Sequence, residues 1–169
     1  LCDAHGLPVL FLCDTPGIMV GPEAEKSGTV RHAARLFVTA ASLSVPVGTI
    51  VLRKGYGLGA QAMAGGSFHA SSFTVAWPTG EFGGMGLEGA VKLGFRRELE
   101  AIEDRAERRR AFDAMVAAAY AHGKATNMAS HFEIDDVIDP ADSRRWVRTL
   151  LTAARPERTG RRRPCVDPW

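Results

Sequence analysis

The chemistry that this sequence spaces most consistently belongs to backbone donors. Gly55, Gly57 and Gly59 follow one apolar run, and Gly80, Gly83, Gly84, Gly86 and Gly89 follow another. Each turn opens a helix of small residues, and N–H groups at a helix start converge on developing negative charge. For any single glycine among them, a tight turn between packed elements is the better account, and only the recurrence of two such turns points further. The stretch "GYGLGAQ" does not complete GxGxxG, since Ala60 and Gln61 stand where that dinucleotide pattern continues.

Ionisable groups offer less. Asp14-Thr15-Pro16-Gly17 ends an apolar run as the magnesium-linked turn of a GTP switch does. A switch also needs a phosphate cradle, yet GxxxxGK[ST] is absent and Gly123-Lys124 runs into Ala125. Asp14 therefore reads as a strand-end residue, with Pro16 and Gly17 setting the turn. No pair among His5, His32, His69, His122 and His131 has HExxH spacing, and there is no GxSxG elbow. Glu133, Asp135, Asp136, Asp139 and Asp142 lack the central Gly and terminal Glu of an EF-hand, so capping and solvation explain them better. No metal site is expected.

These residues need elements to hold them. Pro8 to Asp14, Val47 to Leu52 and Phe73 to Trp77 are continuous apolar runs, the pattern of strands covered on both faces. A loop is expected from Thr15 to Gly28. Val30, Ala33, Ala34, Phe37, Val38 and Ala41 form a helical stripe, and Leu36, Ala40 and Leu43 on another side predict packing on more than one face. From Arg96 to Gly123 the pattern predicts one long helix, with Asp104–Arg108 and Glu107–Arg110 spaced for surface ion pairs. Asp139 as N-cap and Pro140 at the first position start a final helix. Strand, turn and helix thus alternate as in an α/β fold.

The bulk numbers set bounds. With 169 residues, 46% hydrophobic, and 21 basic against 19 acidic residues, the chain can form one cored domain with no overall field for nucleic acid or a membrane surface. The basic excess is local, with five arginines in "RPERTGRRRPCVDPW" read as a flexible tail. Cys2, Cys13 and Cys165 are odd in number without CxxC spacing, which fits a reducing, cytoplasmic setting. No apolar run approaches the roughly 18 residues of a membrane span. The chain lacks an initiator Met and enters its first strand almost at once, so an N-terminal portion is expected outside it.

Four co-linear stretches carry a resemblance: "DTPGIMVGPEAEKSGTVRHAARL", "TIVLRKGYGLGAQAM", "VAWPTGEFGGMGLEGAV" and "ATNMASHFEIDDVIDPADSRRWV". Together they resemble the C-terminal region of the carboxyltransferase subunits of biotin-dependent acyl-CoA carboxylases, the family of acetyl- and propionyl-CoA carboxylase β chains. The resemblance implies a crotonase (ClpP-like) fold with a helical C-terminal extension, truncated at its N-terminus. Residues 1–155 would be part of a carboxyltransferase C-terminal domain and 156–169 a basic tail.

It further implies transfer of CO2 from carboxybiotin, carried on a separate domain, to the α carbon of an acyl-CoA. Cofactor and substrate then supply base and nucleophile, while the protein supplies position and oxyanion donors. Carried over by motif, those donors are the N–H groups of Leu58 and Gly59, beside Gly57. Relatives have Gly-Ala after the first glycine, where Leu58-Gly59 stand here, and Leu58 donates only at negative φ. Gly17, Ile18, Met85 and Gly86 would wall the biotin pocket, and Ala60 and Gln61 would face the acyl group. Implied partners are the carboxyltransferase N-terminal domain, a biotin carboxylase/biotin carrier subunit, acyl-CoA and further copies of the chain. Two rival readings remain: a hydratase or thioesterase using Glu81 or Glu88, and a non-catalytic assembly module.

Overall fold

Strand β2 (Val47–Tyr56) organises the molecule, for it pairs with three neighbours, all parallel to it. The computed structural model describes residues 1–153, so the Arg-rich tail lies outside the described residues. A short helix α1 (Cys2–His5) leads into β1 (Val9–Thr15), whose register runs from Val9↔Val47 to Thr15↔Gly55 through an irregularity after Cys13. Helices α2 (Pro22–Lys26) and α3 (Thr29–Ala41) carry the chain back to β2, and α4 (Gly57–Ala62) follows it. Strand β3 (Phe73–Ala76) pairs with the first half of β2 and β4 (Glu81–Gly83) with its last residues. Helices α5 (Leu87–Gly94), α6 (Arg96–Glu100), α7 (Arg105–His122) and α8 (Ala125–Ser130) precede β5 (Asp136–Val137), which pairs with β3. A 3₁₀ turn at Pro140–Asp142 and α9 (Ser143–Thr152) complete the described chain.

The period of two along β2 sends Ile50 and Val51 to opposite faces, each with a core of its own. Val51 packs with Cys13, Ala60, Phe82 and Ile134. Ile50 packs with Phe73, Val75, Ile138 and Leu150, where the Phe73 and Trp146 rings lie 5.0 Å apart. Burial on both faces explains the unbroken apolar runs of the central strands.

Several expectations need correction. The segment between Thr15 and Gly28 is not all loop, because Pro22 at N1 starts α2. Strand β2 runs on to Tyr56, since β4 supplies hydrogen-bonding partners to residues that read locally as a turn. Strand β1 is covered on one face only, with Cys13 buried and Leu12 53% exposed. None of α3 is fully buried, and Val30 and Leu36 face outward, so it packs by one stripe. The long helix expected from Arg96 is two, because the Asp104 carboxylate accepts from Ala106 N and Glu107 N and starts α7 afresh. Arg108 donates to the Ile102 carbonyl instead of pairing with Asp104, and the ion pairs on this stretch are Arg96–Glu100 and Arg109–Asp113. Asp139 accepts from Ala141 N and caps the 3₁₀ turn Pro140–Asp142, not the final helix, which begins at Ser143 with Asp142 as its N-cap.

Candidate functional site

Parallel pairing puts the carboxyl ends of β1, β2 and β4 on one edge, so the turns leaving them meet. Ligands in open parallel sheets sit at that edge. The contact is backbone on backbone. A Cβ on Gly59 would lie 2.6 Å from the carbonyl carbon of Gly17, and one on Gly57 would lie 2.6 Å from the Gly84 carbonyl oxygen. Gly57 also has φ +58°, a left-handed conformation that side chains rarely adopt. A side chain at either position would force the neighbouring turn to move, and at Gly57 the left-handed φ adds strain.

Helix α4 begins at this junction. Its N-cap, Tyr56, is extended and no side chain caps the helix end. Helix geometry leaves the amides of Gly57, Leu58 and Gly59 without intrahelical acceptors. Leu58 lies in helical conformation, outside the positive-φ residues, so the negative φ that donation there needs is present. Its side chain points to solvent, 62% exposed. Gly17 lies against Gly59, and Ile18 follows it, half-buried. Across the junction Met85 is exposed and Gly86 is the N-cap of α5. Gln61 is half-buried on α4, whereas Ala60 is fully buried in the core below, where its carbonyl lies 4.0 Å from the Cys13 thiol. The turns carry exposed apolar side chains, Met19, Val20, Leu58 and Met85, a composition that marks a surface for association.

Asp14 clamps the base of the edge. Its carboxylate accepts from Arg53 Nε and Nη2 at 3.3 and 3.1 Å and from Lys54 N at 3.1 Å. The Arg53 hydrogen bond and the Lys54 amide hold it below the usual carboxylate range. Its partners tie β1 to β2 and account for an aspartate at the strand end. The acidic run 133–142 is likewise used by the fold, with Asp135 accepting from Thr74 N on β3 at 2.6 Å and Asp136 from Val137 N at 2.7 Å.

One residue escaped the sequence reading. Tyr56 precedes the donor turn and is only 3% exposed, and its hydroxyl is buried without a hydrogen bond of good geometry. Burial, with the charge of Glu81 and the nearby Tyr120 hydroxyl, pushes its phenol far above the ordinary range. Hydrophobic patterning finds a buried aromatic here, but nothing local shows that Glu81 and Tyr120 face its oxygen. Glu81 is thus engaged at the foot of β4, while Glu88 stands exposed in the first turn of α5.

Residues 1–164 match the family model described as the carboxyl transferase domain. The methylmalonyl-CoA carboxyltransferase 12S subunit of Propionibacterium freudenreichii subsp. shermanii is 36% identical over 154 residues, which cover 89% of this chain and 28% of that protein. The propionyl-CoA carboxylase beta chain of Cereibacter sphaeroides is 32% identical over 168 residues, covering 99% of this chain and 30% of that one. Among solved structures, a single-chain, multi-domain long-chain acyl-CoA carboxylase shares 62% identity with a TM-score of 0.77, over 88% of this chain and 14% of the other. The transcarboxylase 12S hexamer, solved with methylmalonyl-coenzyme A bound, shares 31% identity with a TM-score of 0.79, over 97% of this chain and 32% of that one. The chain therefore spans less than a third of the length of these relatives.

Proposed function

The chain belongs to the carboxyl transferase domain family, with a crotonase-like α/β fold, and on that premise we propose that it forms the biotin side of an acyl-CoA carboxylase carboxyltransferase. The reaction is transfer of CO2 from carboxybiotin, held on a separate carrier domain, to the α carbon of an acyl-CoA. The observation that carries this reading is the uncapped start of α4, wedged between the Gly17 and Gly84 turns.

Carboxybiotin, when bound, supplies both the carboxyl group and the base, which fits a site whose residues include no free general base. The donors here fit a ureido oxygen: they are main-chain amides, at a point where the space for a side chain is taken by backbone. Leu58 and Gly59 donate their N–H groups to the oxygen on which negative charge develops. Such a donor is worth about 3 kcal/mol of barrier. Gly57 turns β2 into α4 through its left-handed φ, and in this reading both amides face the edge. Gly17 and Ile18 form one wall, and Met85 with Gly86 the other. Gln61, one turn into α4, stands on the acyl side with Ala60 behind it. Exposed Met19, Val20, Leu58 and Met85 are the surface on which the carboxyltransferase N-terminal domain of another subunit closes and excludes water. The working enzyme is an oligomer that includes a biotin carboxylase and a biotin carrier.

The test removes one amide. In the intact assembly, Leu58→Pro deletes the donor at a position where a first-turn proline is tolerated. Carboxyl transfer should fall roughly 100-fold in kcat, with Leu58→Ala close to the parent and the circular dichroism of both unchanged. Full activity in a folded Leu58→Pro enzyme would remove the proposal.

A further inference from the structure

Helices α5, α6 and α7 border an open cleft that none of the glycine-turn residues line. Its volume is about 610 Å³, within the roughly 300–1,000 Å³ of small-molecule sites. The walls carry Lys92, Arg96, Arg105, Arg108 and Arg109 against a single carboxylate, Glu100. The floor is apolar, with Leu99 and Phe112.

The charges are unevenly compensated. Arg96 Nε lies 3.2 Å from Glu100 and Arg109 Nε 3.0 Å from Asp113. Arg108 gives two donors to the neutral Ile102 carbonyl, at 2.9 and 2.6 Å. That holds the guanidinium in place and leaves its charge unbalanced, with donors to spare. Among the described residues, Lys92 and Arg105 have no ion-pair or hydrogen-bond partner. Three unpaired cations thus face one cleft. A lone surface arginine is explained by solvation, but a guanidinium fixed in a wall beside two free cations is arranged for an anion. One carboxylate would leave most of this charge unmatched, so the anion carries at least two negative charges, as phosphate esters do. The Arg109 guanidinium lies 5.7 Å over the Phe112 ring and continues the apolar floor as a flat surface.

We infer that this cleft binds a multiply phosphorylated nucleoside, with its phosphates on Lys92, Arg105 and Arg108 and its base against Leu99, Phe112 and the Arg109 plane. The site is separate from the glycine turns, and for free nucleotides it is independent of the carboxyl-transfer reading. Coenzyme A would also be a ligand under that reading and is tied to this cleft only by the charge reversals below. Free nucleotides and the phosphorylated adenosine of coenzyme A share this chemistry.

Calorimetric titration of the intact protein with ADP, ATP, coenzyme A, adenosine and inorganic phosphate tests it. Saturable binding is expected for at least one of the first three, at least about tenfold tighter than adenosine or phosphate. Binding of coenzyme A alone identifies that source, and binding of ADP and ATP without it identifies free nucleotides. Lys92→Glu combined with Arg105→Glu should weaken binding by about tenfold or more. Arg144→Glu, on α9, should leave it unchanged, with melting curves showing both variants folded. Three outcomes would each overturn the inference: no saturable nucleotide binding, phosphate binding as tightly as nucleotide, or nucleotide binding that the double reversal leaves intact.

Discussion

The glycine-turn edge and the α5–α7 cleft are built by opposite means. At the edge, main chain touches main chain, with Gly59 against Gly17 and Gly57 against Gly84. In the cleft, side chains do the positioning, through the Asp104 cap, the Arg108–Ile102 bonds and the Arg109–Asp113 pair. Backbone contacts have no slack, because a carbonyl cannot rotate out of the way as a long side chain can. The difference teaches where the molecule tolerates change: the edge should be brittle and the cleft compliant.

The sharpest way to break that contrast is Gly59→Val, which drives a branched side chain into the Gly17 backbone. It should cost roughly 2–3 kcal/mol, read as a loss of about 5–10 °C in Tm. A melting temperature within a degree of the parent would show that the edge is not sterically closed. On the cleft side, Asp104→Ala removes the cap of α7 and should cost about 1 kcal/mol, measured by urea unfolding, with Asp104→Asn recovering most of it.

Tyr56→Phe probes the seam behind the edge and should run the other way. It removes a buried hydroxyl that has no good partner, and a gain of about 1 kcal/mol is expected. The parent favours the neutral phenol when folded, so this contribution is complete below about pH 10 and is lost as pH rises toward the higher folded value. The variant should lose less stability in alkali, which thermal melts at pH 8 and above would show.

Asp14→Asn should have the smallest effect. The pair with Arg53 is partly exposed, so no more than a few tenths of a kcal/mol is expected at neutral pH. The carboxyl is held below its ordinary value, so its contribution is present above about pH 4 and fades as pH falls through the lower folded value. A parent and variant whose melting curves stay parallel down to pH 2.5 would refute the clamp.

Local pattern served well where one element decides its own fate. The Val30–Ala41 stripe gives α3, the apolar runs give β1 and β3, and Asp139-Pro140 opens the last turn. It failed where a distant segment intervenes. Residues 53–56 carry two cations and a glycine and read as a turn, yet β4 pairs with them and keeps them extended. Residues 101–104 lie in a run of helix formers, and the break depends on whether Asp104 turns its carboxylate onto the next amides or outward to Arg108. Gly123 ends α7 as its position implied, but for a non-local reason: a side chain there would strike the Phe82 carbonyl. Tyr56 was invisible as a site residue because its polar neighbours come from β4 and α7.

The amino-acid order alone determined the alternation of strands, turns and helices, and it placed glycines after β1, β2, β3 and β4, since these follow from propensity and periodicity within a few residues. Which turns touch, and which faces of α5, α6 and α7 border a cleft, was decided only by tertiary structure. Parallel register and helix packing join residues far apart in the chain, and no local preference encodes the distance between the Gly17 carbonyl and Gly59.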